Sequence, residues 1–174
     1  MNSAWFGDSY DIVKRFFVDI LKRNGYSVTV DPMFTGTWQQ IEEPFHRFIG
    51  AERLSDAEWP SSRSRTALLL DPDTGVGAKA TRKHVTLERI VDELERYEIV
   101  FSFDQSFSRG QSAEEKMSEK LNGLRKKGAY GFYYNSHAKF LFAARQPDEL
   151  VLIKEAFVAT GLPETRFWNQ AGTN

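Results

Sequence analysis

Tyr10, Val13, Phe16, Phe17, Ile20 and Leu21 recur at the i, i+3, i+4, i+7 spacing of one helix face and predict an amphipathic helix early in the chain. Asp8 or Ser9 can cap its start, and Lys22-Arg23-Asn24-Gly25 marks its end. Residues 26–30 alternate with β-branched side chains and predict a strand that stops at Asp31-Pro32. A short helix over 41–49 brings Phe45 and Phe48 toward a core, and the polar stretch 55–65, with Trp59-Pro60, predicts a loop. Residues 66–70 are apolar without alternation, as in a strand covered on both faces, and are broken by Asp71-Pro72-Asp73-Thr74-Gly75. Thr86 can cap a helix running through Leu87, Ile90, Val91 and Leu94. A second buried-type strand over 99–103 ends at Asp104-Gln105-Ser106. A charged helix over 113–127 turns Met117, Leu121 and Leu124 inward and stops at Gly128. Strands at 130–134 and 139–144 flank Asn135-Ser136-His137-Ala138, and a helix over 147–160 precedes an edge strand at 166–168.

This order predicts a single α/β domain over 1–174, three-layered and Rossmann-like, whose mostly parallel sheet ends in an antiparallel hairpin. Parallel strands joined by helical crossovers gather their carboxyl ends on one edge, and ligands bind in the crevice there. Asp71 and Asp104 each follow such a strand, so both are expected on that edge.

Composition narrows the class. The 174 residues are 41% hydrophobic and include 14 Phe, enough large apolar side chains to exclude a disordered chain. The chain has no cysteine, which excludes disulfides, cysteine-ligated metals and a thiol nucleophile. Basic and acidic residues nearly balance at 23 and 24, so any nucleic-acid contact must come from a local patch. Charges at Asp8, Asp11, Lys14, Arg15 and Asp19 interrupt the first apolar stretch, so no signal peptide is expected, nor a membrane span. The expectation is a soluble cytoplasmic domain that does not contact membrane.

Several clusters carry candidate chemistry. Asp71 and Asp73, two apart after a strand, can hold a divalent cation such as Mg²⁺ or Mn²⁺, or Asp71 can orient an amine or hydroxyl, with Thr74 beside them. The same residues also suit a turn in which the carboxylates only satisfy backbone donors. Asp104 and Gln105 repeat the pattern, offering a third oxygen ligand and an amide that can read a base edge. His137, between two strands, is a candidate general base or metal ligand. Lys79, Arg82, Lys83 and Arg109 can meet phosphates, or simply be solvated. Asp31 and Gly36 suit a turn around a nucleotide, and Glu52 is a second candidate carboxylate. The aromatic strand Tyr130, Phe132, Tyr133, Tyr134 offers stacking surfaces or plain core.

The phrases GDSYDIVKRFF, DPMFTG, LLLDPDTG, FSFDQS and YYNSHAKFLF resemble a bacterial family to which no activity is assigned. More loosely, the chain is similar to class I S-adenosylmethionine-dependent methyltransferases that modify adenine in nucleic acid. Those enzymes carry an Asp-Pro-Pro-Tyr-type motif after a strand, where Asp71-Pro72-Asp73-Thr74 stands here. The helix, strand, helix and hairpin that follow also fit. This resemblance implies that Asp71 orients an acceptor amine, that Asp31, Gly36 and Glu52 hold S-adenosylmethionine, and that the substrate is a nucleotide or nucleic acid. Two other functions fit the residues. One is a metal-dependent phosphodiesterase or nuclease using Asp71, Asp73 and Asp104 with His137 as base; the other is a non-catalytic interaction module.

Overall fold

A computed structural model describes residues 3–36, 38, 40–54, 65–107 and 112–169. Two strands, β1 (Tyr26–Asp31) and β3 (Arg65–Leu70), sit side by side in parallel, and β6 (Ile99–Phe103) lies parallel on the far side of β3. The short β2 (Glu52–Arg53) runs parallel on the outer side of β1. Beyond β6 the direction changes. The strand β8 (Phe140–Ala144) pairs antiparallel with β6 and with β7 (Tyr130–Tyr134), and β9 (Phe167–Trp168) closes the edge antiparallel to β7. The order is β2-β1-β3-β6-β8-β7-β9, a seven-stranded, mostly parallel sheet in a mixed α/β fold. A separate pair, β4 (Gly75–Val76) with β5 (His84–Val85), stands at the end of β3.

The unbroken apolar runs follow from cover on both faces of the sheet. On β3, Ala67 and Leu69 pack with Phe17 and Ile20 of α1 (Ser9–Arg23), Phe45 of α2 (Glu42–Ile49) and Phe157 of α5 (Pro147–Ala159). The alternate residues Leu68 and Leu70 pack with Ile90 of α3 (Leu87–Glu93) and with Met117 and Leu121 of α4 (Ala113–Lys126). Every residue of β6 and β8 is buried for the same reason. Each large apolar side chain of these strands removed from water contributes on the order of 1.5–3 kcal/mol. No helix among the described residues is long and apolar enough to cross a membrane.

Local signals fix the ends of the helices. Asp8 caps α1 by accepting from the N–H groups of Tyr10 and Asp11, Thr86 caps α3 by accepting from Arg89 N–H, and Ser112 caps α4. The buried stripe of α1 is turned relative to the sequence expectation. Asp11, Lys14, Phe17, Val18, Ile20 and Leu21 face inward, whereas Phe16 and Ile12 are exposed. The 41–49 helix starts at Glu42, the 66–70 strand at Arg65, and the 113–127 and 147–160 helices each end one residue early. Positions 55–64 of the expected loop lie outside the described residues. The sequence reading missed β2, β4 and β5, which are two residues each and carry no periodicity.

Candidate functional site

The carboxyl ends of β1, β3 and β6 bring Asp31, Asp71 and Asp104 to one edge, as the topology requires. The ladder continues past the strands there: Asp71 N–H donates to the Asp31 carbonyl at 3.0 Å, and Asp104 N–H donates to the Lys139 carbonyl at 2.9 Å. The three carboxylates have different surroundings.

Asp71 is fully buried and forms the floor of a cleft of about 440 Å³. Its Oδ2 accepts from Lys14 Nζ at 2.8 Å, and the same ammonium donates to Asp11 Oδ1 at 2.8 Å. Asp11 is completed by Gly7 N–H, which donates to its Oδ2 at 2.8 Å. Asp71 Oδ1 has no hydrogen-bond partner and is shielded from solvent. Burial tends to lower the Lys14 pKa, but the carboxylates of Asp71 and Asp11 outweigh it and hold the ammonium charged beyond the usual lysine range. Burial pushes the Asp71 carboxyl above the usual carboxylate range, with Lys14 opposing and Asp11 adding to the rise.

The cleft is walled by Trp5, Tyr10, Phe103 and Gln105, with Asp73 also among its lining residues. Tyr10 is held from behind. Its ring stacks on His137 at 5.5 Å between centroids, and its hydroxyl meets His137 Nε2 at 2.9 Å. Gln105 Nε2 donates to the His137 carbonyl and joins the same wall. Asp73 Oδ2 accepts from Thr35 Oγ1 at 2.5 Å, tying the loop after β3 to the loop after β1.

Asp104 forms a saturated hub. Its Oδ1 accepts from Val76 N–H at 3.0 Å, Ser106 N–H at 3.0 Å and Ser106 Oγ at 2.6 Å. Its Oδ2 accepts from Lys120 Nζ at 2.6 Å and Tyr133 Oη at 2.7 Å. Burial, reinforced by Asp104, pushes the Tyr133 phenol well above its ordinary value. Burial likewise pulls Lys120 down, with Asp104 opposing. Gly75 packs directly on this hub. A Cβ there would stand 2.3 Å from Asp104 Oδ1 and 2.7 Å from its Cα, and the φ of +131° already favours glycine.

These geometries revise several expectations. Asp104 is not a free metal ligand, since both oxygens are taken by five donors, and Asp71 and Asp73 each hold partners of their own. Among the described residues no group of three or more His, Asp or Glu could hold a metal ion. His137 is exposed and does not line the cleft; it buttresses Tyr10. Thr74 acts through its backbone, its N–H donating to the Lys83 carbonyl at 3.0 Å and its carbonyl accepting from Gln105 N–H at 2.8 Å. Lys79, Arg82 and Lys83 are exposed on the β4–β5 connection, where the Lys83–Thr74 bond brings that loop beside Asp73. Arg109 lies outside the described residues.

The residues expected to hold S-adenosylmethionine do not converge. Asp31 borders a different cleft of about 380 Å³ that neither Gly36 nor Glu52 lines. Its Oδ2 is engaged by Arg89 and its Oδ1 by Met33 N–H at 3.0 Å. Glu52 is exposed on β2, and Gly36 faces open space at a φ of +90°. As they stand, these three residues do not line one cleft. The residues missed from sequence are Asp11, Lys14, Tyr10 and Trp5. The available signal was that Asp11 and Lys14 fall on the stripe of Val18 and Leu21, at i, i+3, i+7 and i+10. No family model, curated protein or solved structure matches the chain.

Proposed function

We propose that the protein binds an amine-bearing nucleobase, as a nucleotide or within nucleic acid, in the Asp71 cleft. The observation that carries this reading is Asp71, a buried carboxylate that lines an aromatic-walled cleft and whose Oδ1 has no hydrogen-bond partner. Such an oxygen is costly to leave unmade and accepts well from an exocyclic amine. Trp5 and Tyr10 supply ring faces, and Gln105 supplies an amide for a base edge. Lys83, whose carbonyl accepts from Thr74 N–H, would meet a phosphate outside the cleft, with Lys79 and Arg82 on the same loop.

The methyltransferase-like reading shares this use of Asp71 and a Rossmann-like arrangement of the sheet. It is supported by the place of Asp71 at the end of β3 and by the order α3, β6, α4, β7, β8 that follows. No step is routed through a methyl donor, because Asp31, Gly36 and Glu52 do not line one cleft. Calorimetric titration tests the two parts separately. Saturable one-to-one heat with adenosine monophosphate is expected, and no heat at high micromolar protein sinks the nucleobase reading. Saturable heat with S-adenosylhomocysteine extends the function to methyl transfer; its absence confines it to binding.

A further inference from the structure

We propose that Ser106 and Lys120 form a nucleophile and base pair that attacks the carbonyl of a small ester, in the cleft bounded by the β4–β5 pair, the start of α3 and α4. Among the described residues this cleft shares no lining side chain with the Asp71 cleft, and the inference does not rest on the nucleobase reading. Ser106 and Lys120 both line it, in a volume of about 480 Å³, and Lys120 Nζ lies 2.8 Å from Ser106 Oγ. Asp104 holds Lys120 from behind, with Oδ2 at 2.6 Å from Nζ. A nucleophile, a base and a carboxylate that orients the base are the parts that activate a hydroxyl for covalent catalysis. The Ser106 hydroxyl has one proton and two acceptors at 2.6 Å, the Val76 carbonyl and Asp104 Oδ1, so in the resting site Lys120 donates to it. Loss of one proton from Lys120 keeps N–H groups for Asp104 and turns the nitrogen lone pair toward Ser106 Oγ. Burial favours that neutral form by pulling Lys120 below the usual lysine range, with Asp104 and Glu119 opposing and Lys116 adding to the fall.

His84 supplies a further part. Thr81 Oγ1 accepts from the N–H groups of Lys83 and His84, both at 3.1 Å, so its own proton turns to His84 Nδ1 at 3.0 Å. The neutral ring then carries its proton on Nε2, and this ring lines the same cleft. A donor there suits the oxygen of a carbonyl under attack. In the reaction, Ser106 Oγ bonds to the ester carbon and its proton passes to Lys120 Nζ. The bond from that carbon to the alcohol oxygen breaks, and the alcohol takes the proton. Water then attacks the acyl-serine in the same manner, releasing the acid and restoring the Ser106 hydroxyl. Val76, Ala78 and Leu87 on the wall favour a short, uncharged acyl group.

The test is labelling of the intact chain with a fluorophosphonate at mildly alkaline pH, read by intact mass and peptide mapping. Formation of the Oγ–P bond expels fluoride while the serine proton passes to Lys120, so the probe reports the first step alone. A single adduct on Ser106 is expected. Lys120→Arg keeps a cation beside Asp104 but cannot accept a proton, and it is expected to label at least about a hundredfold more slowly while circular dichroism shows the native fold. Lys120→Gln carries the same expectation and serves where arginine does not fold. Absence of an adduct on Ser106 of the folded wild-type protein overturns the proposal. Labelling at the wild-type rate in either folded variant also overturns it, by leaving Lys120 only a structural partner of Asp104.

Discussion

Lys14 Nζ lies 2.8 Å from Asp71 Oδ2 across 57 residues of chain, with the two side chains only 4% and 1% exposed. This single contact joins the first helix to the end of the central strand β3. It also sets the character of the cleft, because Lys14 occupies one oxygen of Asp71 and Oδ1 is left bare. Removing the ammonium leaves two buried carboxylates facing each other. Lys14→Met is therefore expected to cost about 3–5 kcal/mol of stability at neutral pH. Urea unfolding measures it, and part of the loss should be recovered as pH falls and the carboxyls protonate. A stability within 1 kcal/mol of wild type, on the order of a surface substitution, contradicts the account.

Ligand binding should depend on pH through Asp71. Only the ionised carboxylate keeps Oδ1 a pure acceptor while Oδ2 stays with Lys14. Burial raises the carboxyl against the opposing charge of Lys14, with Asp11 adding to the rise; Asp8 and Asp73 also face the cleft. Affinity is thus expected to fall with acidification at a midpoint above the ordinary aspartate value of 3.8. Lys14 works in the other direction. Its folded pKa is raised above 10.5, so its contribution to stability is complete below that value and is lost only as pH rises through the higher folded value. Unfolding free energies and binding isotherms across pH separate the two titrations.

The Asp104 hub is expected to govern stability and leave the cleft alone. Tyr133→Phe removes one buried hydrogen bond to Asp104 and should cost about 1–2 kcal/mol, with nucleotide affinity unchanged. A loss of affinity without a loss of stability would assign the hub to the ligand.

Gly75→Ala should be more damaging than its size suggests. The new methyl has to enter a space 2.3 Å from Asp104 Oδ1 at a φ of +131°. A cost of at least about 1–3 kcal/mol is expected from overpacking and backbone strain together. Thermal unfolding reads it directly, and an unchanged Tm contradicts the packing described.

Lys83 tests the phosphate side. Adenosine monophosphate should bind more tightly than adenosine at low salt, and Lys83→Ala should remove most of that difference while leaving adenosine binding intact. Equal effects on nucleoside and nucleotide would place Lys83 elsewhere in the function.

The edge of the sheet was legible in the sequence because its signals are local. Largely apolar runs without alternation at 66–70 and 99–103, each stopped by an aspartate, are the mark of strands covered on both faces. Thr86 and Gly128 likewise announced helix ends by their own chemistry. What the sequence hid was pairing across distance. Asp11 and Lys14 look like a solvated helix face until Asp71 arrives beside them, and Arg89 reaches Asp31 over 58 residues. Periodicity predicts Phe16 inward, yet the helix is rotated so that the charged pair takes the inner stripe. Asp71 and Asp104 each directly follow a mostly apolar strand. Only the partners supplied by α1 for one, and by α4 and β7 for the other, separate a bare oxygen from a saturated one.

The most direct test of the central claim is titration of adenosine monophosphate into wild-type protein and Asp71→Asn, with circular dichroism confirming that both are folded. Asparagine keeps the shape of the floor and removes its charge. The account expects saturable one-to-one binding by wild type and a loss of about tenfold or more in the variant. Matching isotherms for the two folded proteins would contradict it and move the ligand away from Asp71.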